Sequence, residues 1–478
     1  MREICGLILA AGEGTRMRSS LAKVLHPLGG TPMILWVAEL CRRLPLKRTL
    51  IVVGYQADRV RAALDGEPVE FVHQAEQRGT AHAVLQAQSA LSGFEGDLLV
   101  LSGDVPLLSA QTANDLLEAH RRAGAQATFM STRVPDPTGY GRVIRGPQGA
   151  FLRIVEEVEA TPEERRIAEI NAGIYCFACP LLFQALGAVG ASAVKGEHYL
   201  PEVVSIFRDR GLKVQAVPAP DPHEVLGVNT RIELAQAYGV LRRRVLRELM
   251  ADGVTVLDPE ATHVAPTARI GRDTVLYPGV FVEGRTVIGE GCTLYPNCRV
   301  KDAQVGNRVT ILDGCVVLES EVGDECTLGP YAHLRPATRL RRKVKIGNFV
   351  ETKKSVIGEG SKVPHLTYVG DASVGEGVNI GAGTITCNYD GVSKHQTAIE
   401  DGAFVGTNTS LVAPVRVGKG AIVAAGSTIT QDVPPDAIAF GRAQQVNKPA
   451  RAAEWRRRAK QAAGAGGKKP DGGEDDKE

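Results

Sequence analysis

Hydrophobic residues follow two different rhythms along this chain. Up to about residue 230, short apolar runs alternate with stretches of helical periodicity. CGLILA, RTLIVVG, DLLVLSGD, QATFMST and AGIYCFA read as strands; PMILWVAELCRRL and TAHAVLQAQSAL read as helices between them. Such alternation predicts a mostly parallel sheet covered by helices. Ligands of such sheets sit at the carboxyl ends of the strands, where residues 12–16, Asp104 and Asn171 fall. Residues 230–250 read as one helix, with Ile232, Ala235, Tyr238, Leu241, Val245 and Leu249 on its apolar face and Gly253 closing it.

From Val264 the rhythm changes to one aliphatic residue in every six: Val264, Ile270, Leu276, Val282, Ile288, Leu294, Val300. After one-residue slips it resumes at Val305, Ile311, Val317 and at Val322, Leu328, Leu334. A late register runs Ile399, Val405, Leu411, Val417, Val423, Ile429. A period of six is neither helical nor a plain strand alternation. It is the mark of a hexapeptide β-helix, in which each coil needs its neighbours to bury its apolar face. RRKVK after Leu340 and CNYDGVSKHQ after Thr386 break the period, and such insertions are expected to leave as loops on one face. The segments therefore read as an α/β domain over 1–229, a helical arm over 230–252, a β-helix over 253–445 and a tail over 446–478. The Gly- and charge-rich last thirty residues or so are expected to be disordered.

Composition narrows this little. Of 478 residues 23% are charged and the net charge is only +2, so nothing asks for nucleic acid or an acidic membrane surface. No apolar run approaches the roughly 20 residues of a membrane helix, and the apolar N-terminal run reads as a strand, not a signal peptide. Nine scattered cysteines suit free thiols in a reducing cytoplasm. Cys292, Cys298, Cys315 and Cys326 each stand four residues after a repeat position, the small-residue slot of the hexad, and read as interior packing.

Candidate chemistry begins at GEGTRM. Alone, this loop fits an ordinary strand-to-helix turn as well as a phosphate cradle; it lacks the ending of a nucleotide-hydrolase loop. Arg16 and Lys23 stand close enough in sequence to converge on one polyphosphate. Asp104, at the end of a strand, can offer oxygen to Mg²⁺. His365 is the candidate base of the second half, since a free imidazole titrates near pH 6.5.

The motifs LAAGEGTRMRSSLAKVLHPLGGTPMI, QAEQRGTAHAV, SGDVPLL, GYGRVIR, IVEE, EINAGIY and GVNTR resemble the sugar-nucleotide pyrophosphorylases. Together with LRPATRL, NFVETKKS, HLTYVGD, NIGAGTITCNYDG, LVAPV and AAGSTIT, they resemble the bifunctional bacterial N-acetylglucosamine-1-phosphate uridylyltransferase/glucosamine-1-phosphate acetyltransferase family, over about 440 residues. The resemblance implies a Rossmann-like nucleotidyltransferase domain followed by a left-handed parallel β-helix. Leu9, Ala10, Ala11, Gly12 and Lys23 would lie against nucleotide and phosphates, with Arg16 facing the triphosphate. It puts Gln74, Gly79 and Thr80 at the uracil and Ser102, Gly103 and Asp104 at the strand-end motif. Gly141, Glu156 and Asn171 would meet the sugar, and Asp104 and Asn229 would hold Mg²⁺. In the second half it implies His365 as general base and Arg335, Lys353, Tyr368, Asn379 and Lys394 near the sugar phosphate. Ala382, Asn388, Tyr389, Thr407, Ala425 and Arg442 would meet acetyl-CoA. The implied co-substrates are UTP and acetyl-CoA, the implied product is UDP-N-acetylglucosamine for cell-wall and lipopolysaccharide-type precursors, and the implied assembly is a cytoplasmic homotrimer. An alternative keeps this layout with another nucleotide or sugar. Three positions depart from the family pattern: Ala22 stands where proline is usual, Thr407 where serine is common, and Pro364 directly precedes His365.

Overall fold

The computed structural model describes residues 2–192, 194 and 196–465. By internal packing the chain divides into two units, Met1–Glu325 and Cys326–Glu478. In the first unit one nine-stranded sheet is built from β1 (Ile4–Ala10), β2 (Arg48–Val53), β3 (Glu70–His73), β4 (Asp97–Ser102), β5 (Ala127–Arg133), β6 (Arg142–Arg145), β7 (Phe151–Val155), β8 (Glu169–Ala178) and β9 (Val214–Pro218). The order is β9-β5-β8-β4-β1-β2-β3, with β6 joining β8 to β7. Strand β1 runs parallel to both β2 and β4, and β8 runs antiparallel to β4 and β5. The sheet is therefore mixed: β1 to β4 form the parallel part that the strand–helix alternation predicts, and β8 and the β6–β7 hairpin bring in antiparallel pairing.

Alternation along β1 explains why both faces are covered. Ile4, Ile8 and Ala10 pack with Ile34, Val37 and Cys41 on one side. Cys5 and Leu7 pack with Val84, Phe177 and Phe207 on the other. A strand buried on both faces reads as a continuous apolar run, as CGLILA does. The chain leaves β1 toward β2 on one side and reaches β4 on the other, so the strand order reverses between β1 and β4, where Leu9 lies beside Ser102. Crevices of this kind collect ligands in open α/β sheets.

A long helix spans Arg231–Ala251. Its apolar stripe departs from the sequence reading. Ile232 is 72% exposed, and Ala237, Leu241 and Leu246 are the buried positions. Leu234, Tyr238, Val240 and Val245 flank them against Leu28, Met33 and Leu107. The packing partner sits along this stripe, and it leaves the face of Ile232 and Ala235 to solvent.

The six-residue rhythm is a stack of parallel coils. Within the first unit, Val275–Leu276 pairs with Thr293–Leu294, Phe281–Glu283 with Arg299–Lys301, and Val287–Ile288 with Gln304–Val305. Within the second unit the same three-sided ladder continues, for example Lys345–Asn348 on Lys362–His365 and Glu351–Lys353 on Tyr368–Gly370. Such stacked parallel sheets are those of the left-handed hexapeptide β-helix class. Every aliphatic position that the rhythm picks out, from Val264 to Ile429, is buried. The cysteines of the small-residue slot are buried and outside any disulfide, as the hexad register predicts.

Two sequence expectations need correction. RRKVK is not an insertion: Leu334, Leu340 and Ile346 keep the step of six, and the Arg341 and Lys345 N–H groups bond Ile357 and Ser361 of the next coil. The segment is simply a coil with a polar outer surface. CNYDGVSKHQ does leave the coil, as a turn bridged between Tyr389 and Lys394. In the tail, Arg451–Ala465 forms a helix where disorder is expected. Its alanine-rich sequence favours helix, and Glu454 pairs with Arg451 and Arg458 at helical spacing. Residues 466–478 of the expected disordered stretch lie outside the described residues.

Candidate functional sites

The reversal point between β1 and β4 gathers the first set of polar groups. The loop after β1 turns at Gly14, whose φ is +74°. A Cβ there would sit 2.4 Å from Lys23 Cβ, so only glycine lets the loop fold onto the lysine. Lys23 then meets Asp104 in an ion pair, and its ammonium donates to Asn229 Oδ1 at 3.1 Å. Arg16 donates to the same Asn229 oxygen at 2.9 Å. Ser102 Oγ donates to Asp104 Oδ1 at 2.6 Å. Gly103 N–H donates to Leu9 O at 2.9 Å, and a Cβ on Gly103 would press to within 3.1 Å of Val24 and Ile34, which ties the two strand ends together. Leu9 and Ala10 end β1 beside Val52 and Val53, Ala11 follows them, and a Cβ on Gly12 would meet open space.

Charge explains the state of Asp104. Burial alone would raise its carboxyl, but the Lys23 ammonium beside it, which also donates a hydrogen bond, outweighs that and holds the pKa below the ordinary carboxylate value. Asp104 and Asn229 both present oxygen to one ammonium, so both reach a common point. Two hard oxygen donors, with phosphate and water completing the shell, fit the habit of Mg²⁺. Among the described residues no cluster of three or more His, Cys, Asp or Glu offers a competing cage.

Two further groups border this centre. Gln74 is 2% exposed; its amide nitrogen meets Gly79 O at 3.4 Å and His82 Nδ1 at 2.9 Å. Gly79 has φ +100°, and Leu200 N–H donates to Thr80 Oγ1 at 2.9 Å. Gln77 links the stretch back, lying 2.7 Å from where a Cβ on Gly54 would stand, a point 2.8 Å from Ala11 O. On the other border, Asn171 N–H donates to Gly141 O at 2.8 Å, and a Cβ on Gly141 would come within 3.4 Å of Glu156. Asn171 Nδ2 donates to Tyr175 OH at 2.6 Å.

Tyr140, not singled out from the sequence, joins this border to the centre. Its hydroxyl donates to Gly227 O at 3.3 Å, two residues before Asn229, and burial pushes its pKa up to about 12. Its one sequence signal is adjacency to Gly141. Ala22 also gains an explanation. Its φ of −54° suits a proline, but its N–H donates to Gln56 Oε1 at 3.1 Å, a bond that proline could not make.

The second unit carries a different constellation. His365 is exposed at the end of Lys362–His365, and its Nδ1 bonds the side-chain oxygen of Asn348, its register partner one coil earlier. With Nδ1–H donated there, Nε2 is the free basic nitrogen. Asn348 was also missed from the sequence; counting back one coil of 17 residues finds it. Arg335, Lys353 and Lys394 crowd together: the Lys394 ammonium, then Arg335, hold Lys353 below the ordinary lysine value. Arg335 donates to Glu351 at 2.7 Å, and Tyr368 is the register partner of Glu351. Asn379 lies on the strand beside Lys362, on the same sheet as His365.

The expected acetyl-CoA positions fall on successive coils. Asn408 N–H donates to Ala382 O, Gly426 N–H donates to Thr407 O, and a Cβ on Gly406 would strike Ala425 N at 2.5 Å. Arg442 follows, 3.7 Å from where a Cβ on Gly426 would stand. Asn388 instead donates to Asp371, and Tyr389 is 60% exposed on the turn with its hydroxyl on Gly391 O.

Relatives agree with this division. Residues 6–173 match the MobA-like NTP transferase domain, and residues 396–431 match the hexapeptide repeat of succinyl-transferase. The chain is 50% identical to the bifunctional protein GlmU of Geobacter metallireducens over 466 residues, covering 94% of this chain and 98% of that one. It is also 50% identical to the bifunctional protein GlmU of Halalkalibacterium halodurans over 442 residues, covering 92% of this chain and 97% of that one. With identity of this level over nearly the full length of both halves, the chain belongs to the bifunctional GlmU family, joining a nucleotidyltransferase half to a hexapeptide acetyltransferase half.

Proposed function

We propose that the chain makes UDP-N-acetylglucosamine in two steps on two sites. The convergence of Arg16, Lys23, Asp104 and Asn229 at the strand reversal is the observation that supports this most directly. In the first step, in the β-helix half, the amine of glucosamine-1-phosphate attacks the thioester carbonyl of acetyl-CoA. His365 Nε2 takes the amine proton as the C–N bond forms, and the C–S bond then breaks to release CoA. Arg335, Lys353 and Lys394 hold the sugar phosphate, with Tyr368 and Asn379 beside it. Acetyl-CoA runs along the Ala382, Thr407, Ala425 and Arg442 positions, with Asn388 and Tyr389 on the neighbouring turn.

In the second step a phosphate oxygen of N-acetylglucosamine-1-phosphate attacks the α-phosphorus of UTP in line. The new P–O bond forms as the α–β bridge breaks, and pyrophosphate leaves. No protein nucleophile is needed, since this chemistry is governed by positioning and charge neutralisation. Arg16 and Lys23 offset charge on the reacting and departing oxygens. Gln74, Gly79 and Thr80 border the uracil, and Gly141, Glu156 and Asn171 the sugar. Asp104 and Asn229 would hold Mg²⁺, which when bound supplies further neutralisation of the phosphates.

The working boundaries are 1–229 for uridylyl transfer, 230–252 for the arm, 253–445 for acetyl transfer and 446–478 for the tail, in a cytoplasmic homotrimer. Paired assays test the reading. UTP, N-acetylglucosamine-1-phosphate and Mg²⁺ should release pyrophosphate, and acetyl-CoA with glucosamine-1-phosphate should release free thiol. Absence of either product sinks the corresponding half. A panel of nucleoside triphosphates separates the uridylyl reading from one using another base. A His365→Ala protein that acetylates at full rate refutes the base, and light scattering reports the trimer.

A further inference from the structure

Uridylyl transfer, as read above, requires two groups far apart in sequence, Asn229 and Lys23, to meet. One helical turn contacts Asn229 directly and the Lys23 turn through His26. The Arg231–Ala251 helix opens with a capping box: Glu233 N–H donates to Thr230 Oγ1 at 3.1 Å, and Thr230 N–H donates to Glu233 Oε2 at 2.7 Å. A capping box needs no more than these two bonds. Here Glu233 Oε2 also accepts from the Asn229 N–H at 2.7 Å. That additional bond fixes the backbone of the residue whose side-chain oxygen meets Arg16 and Lys23. Bonds to an ionised carboxylate are about twice as strong as neutral ones.

The next residue reaches the other partner. Arg231 donates to His26 Nδ1 at 3.1 Å, and His26 N–H donates to Lys23 O at 3.2 Å, closing the turn that carries Lys23. His26 is 2% exposed and presents Nδ1 as an acceptor. The two contacts therefore bind one helix start to both sides of the phosphate crevice.

We propose that the first turn of this helix is the positioning device of the uridylyl-transfer site, with Glu233 setting Asn229 and Arg231 setting the Lys23 turn through His26. Both are positioning residues, and neither touches substrate. The inference rests on the uridylyl-transfer reading and adds to it the residues that assemble the site.

Full-length Glu233→Ala, Glu233→Gln and Arg231→Met proteins test it. Mn²⁺ binding to the UTP-loaded protein is followed by water-proton relaxation, pyrophosphate release gives kcat and KM for UTP, and acetyl transfer serves as control. Outer residues that orient metal ligands are worth about 10–100-fold in metal affinity, so Glu233→Ala should weaken Mn²⁺ binding by that factor. Glu233→Gln keeps an acceptor oxygen and should stay within about threefold of the parent. Arg231→Met should raise KM for UTP about tenfold and leave Mn²⁺ binding nearly unchanged. Acetyl transfer should be constant throughout. Parental Mn²⁺ binding in Glu233→Ala overturns the proposal, as does an equal fall in Glu233→Gln. The same combined loss of Mn²⁺ binding and UTP affinity in Glu233→Ala and Arg231→Met reports a frayed helix and also overturns it. If the parent protein releases no pyrophosphate, the reaction assigned above fails, and the Mn²⁺ comparison still decides this proposal.

Discussion

Asn229 places its side-chain oxygen 3.1 Å from the Lys23 ammonium, although 206 residues separate them in sequence. The contact closes the crevice between the two strand ends. It also leaves Lys23 with two oxygen partners, Asp104 and Asn229, so each should matter to uridylyl transfer in its own way.

Removing Asp104 leaves the Lys23 ammonium, only 17% exposed in its side chain, without its charged partner and with Asn229 alone. A partly buried charge without its partner is costly, and the loss of a carboxylate also removes a metal oxygen. Asp104→Ala should lower pyrophosphate release by at least about 100-fold, the scale of losing a group that stabilises developing charge. Thiol release from acetyl-CoA should be unchanged. Parallel assays of the two reactions on the full chain check both statements.

Acid should weaken the same unit. The Asp104 pKa is depressed in the folded state: burial opposes the shift, and the Lys23 ammonium overcomes it. A depressed carboxylate contributes stability that is present above its unfolded value, about 3.9, and is lost as pH falls through the folded value below that. Thermal unfolding between about pH 5 and pH 2 should therefore show a falling midpoint. Asp104→Asn should flatten that fall. An equal slope in the variant would remove Asp104 from the acid response.

Much of this was legible in the sequence, for physical reasons. Val264 to Ile429 could be read because a coil interior repeats one environment every six residues, and a repeated environment selects a repeated residue type. The β1 run was legible because both its faces are buried. Ile232 misled because a helical stripe gives spacing without saying where the partner lies. RRKVK misled because coil surfaces tolerate charge without any change of register. The Tyr140–Gly227 and His365–Asn348 contacts were invisible because each joins segments that meet only in the folded chain.

Gly14 supplies a test of the crevice geometry. At φ +74° a side chain is strained, and its Cβ would collide with Lys23 Cβ at 2.4 Å. Gly14→Ala should cost about 1–3 kcal/mol of stability, the scale of a misplaced backbone or overpacked contact. It should also raise KM for UTP, because the lysine must yield. Denaturant titration and UTP saturation curves measure the two effects.

In the second unit, like charges crowd Lys353, and Lys394 and then Arg335 depress its pKa. A depressed lysine pKa means that the charged form is disfavoured in the folded state. That penalty applies at pH below the folded value and fades as pH rises toward the unfolded value near 10.4. An oxyanion seated among the three cations would offset it at neutral pH. Inorganic phosphate should accordingly raise the unfolding midpoint of the parent protein at pH 7. Lys353→Met should raise the midpoint without phosphate and shrink the phosphate increment. An increment unchanged in the variant would place the phosphate elsewhere.

The His365–Asn348 bond makes the sharpest prediction for acetyl transfer. The imidazole is exposed, so packing alone does not fix its ring. The bond from Nδ1 to the Asn348 side chain selects the tautomer that leaves Nε2 basic, and it sets the direction in which Nε2 points. Asn348→Ala should therefore lower kcat for acetyl transfer about 10–100-fold, the usual effect of losing an orienting partner, with little change in KM for acetyl-CoA. Asn348→Asp keeps an acceptor for Nδ1–H but adds a negative charge beside the ring. An opposite charge favours the imidazolium, so the base would stay protonated to higher pH. Its rate should recover at alkaline pH, and the acid limb of the pH–kcat profile should move upward. If Asn348→Asp keeps the parental acid limb while Asn348→Ala loses rate, Asn348 acts on the coil rather than on the base.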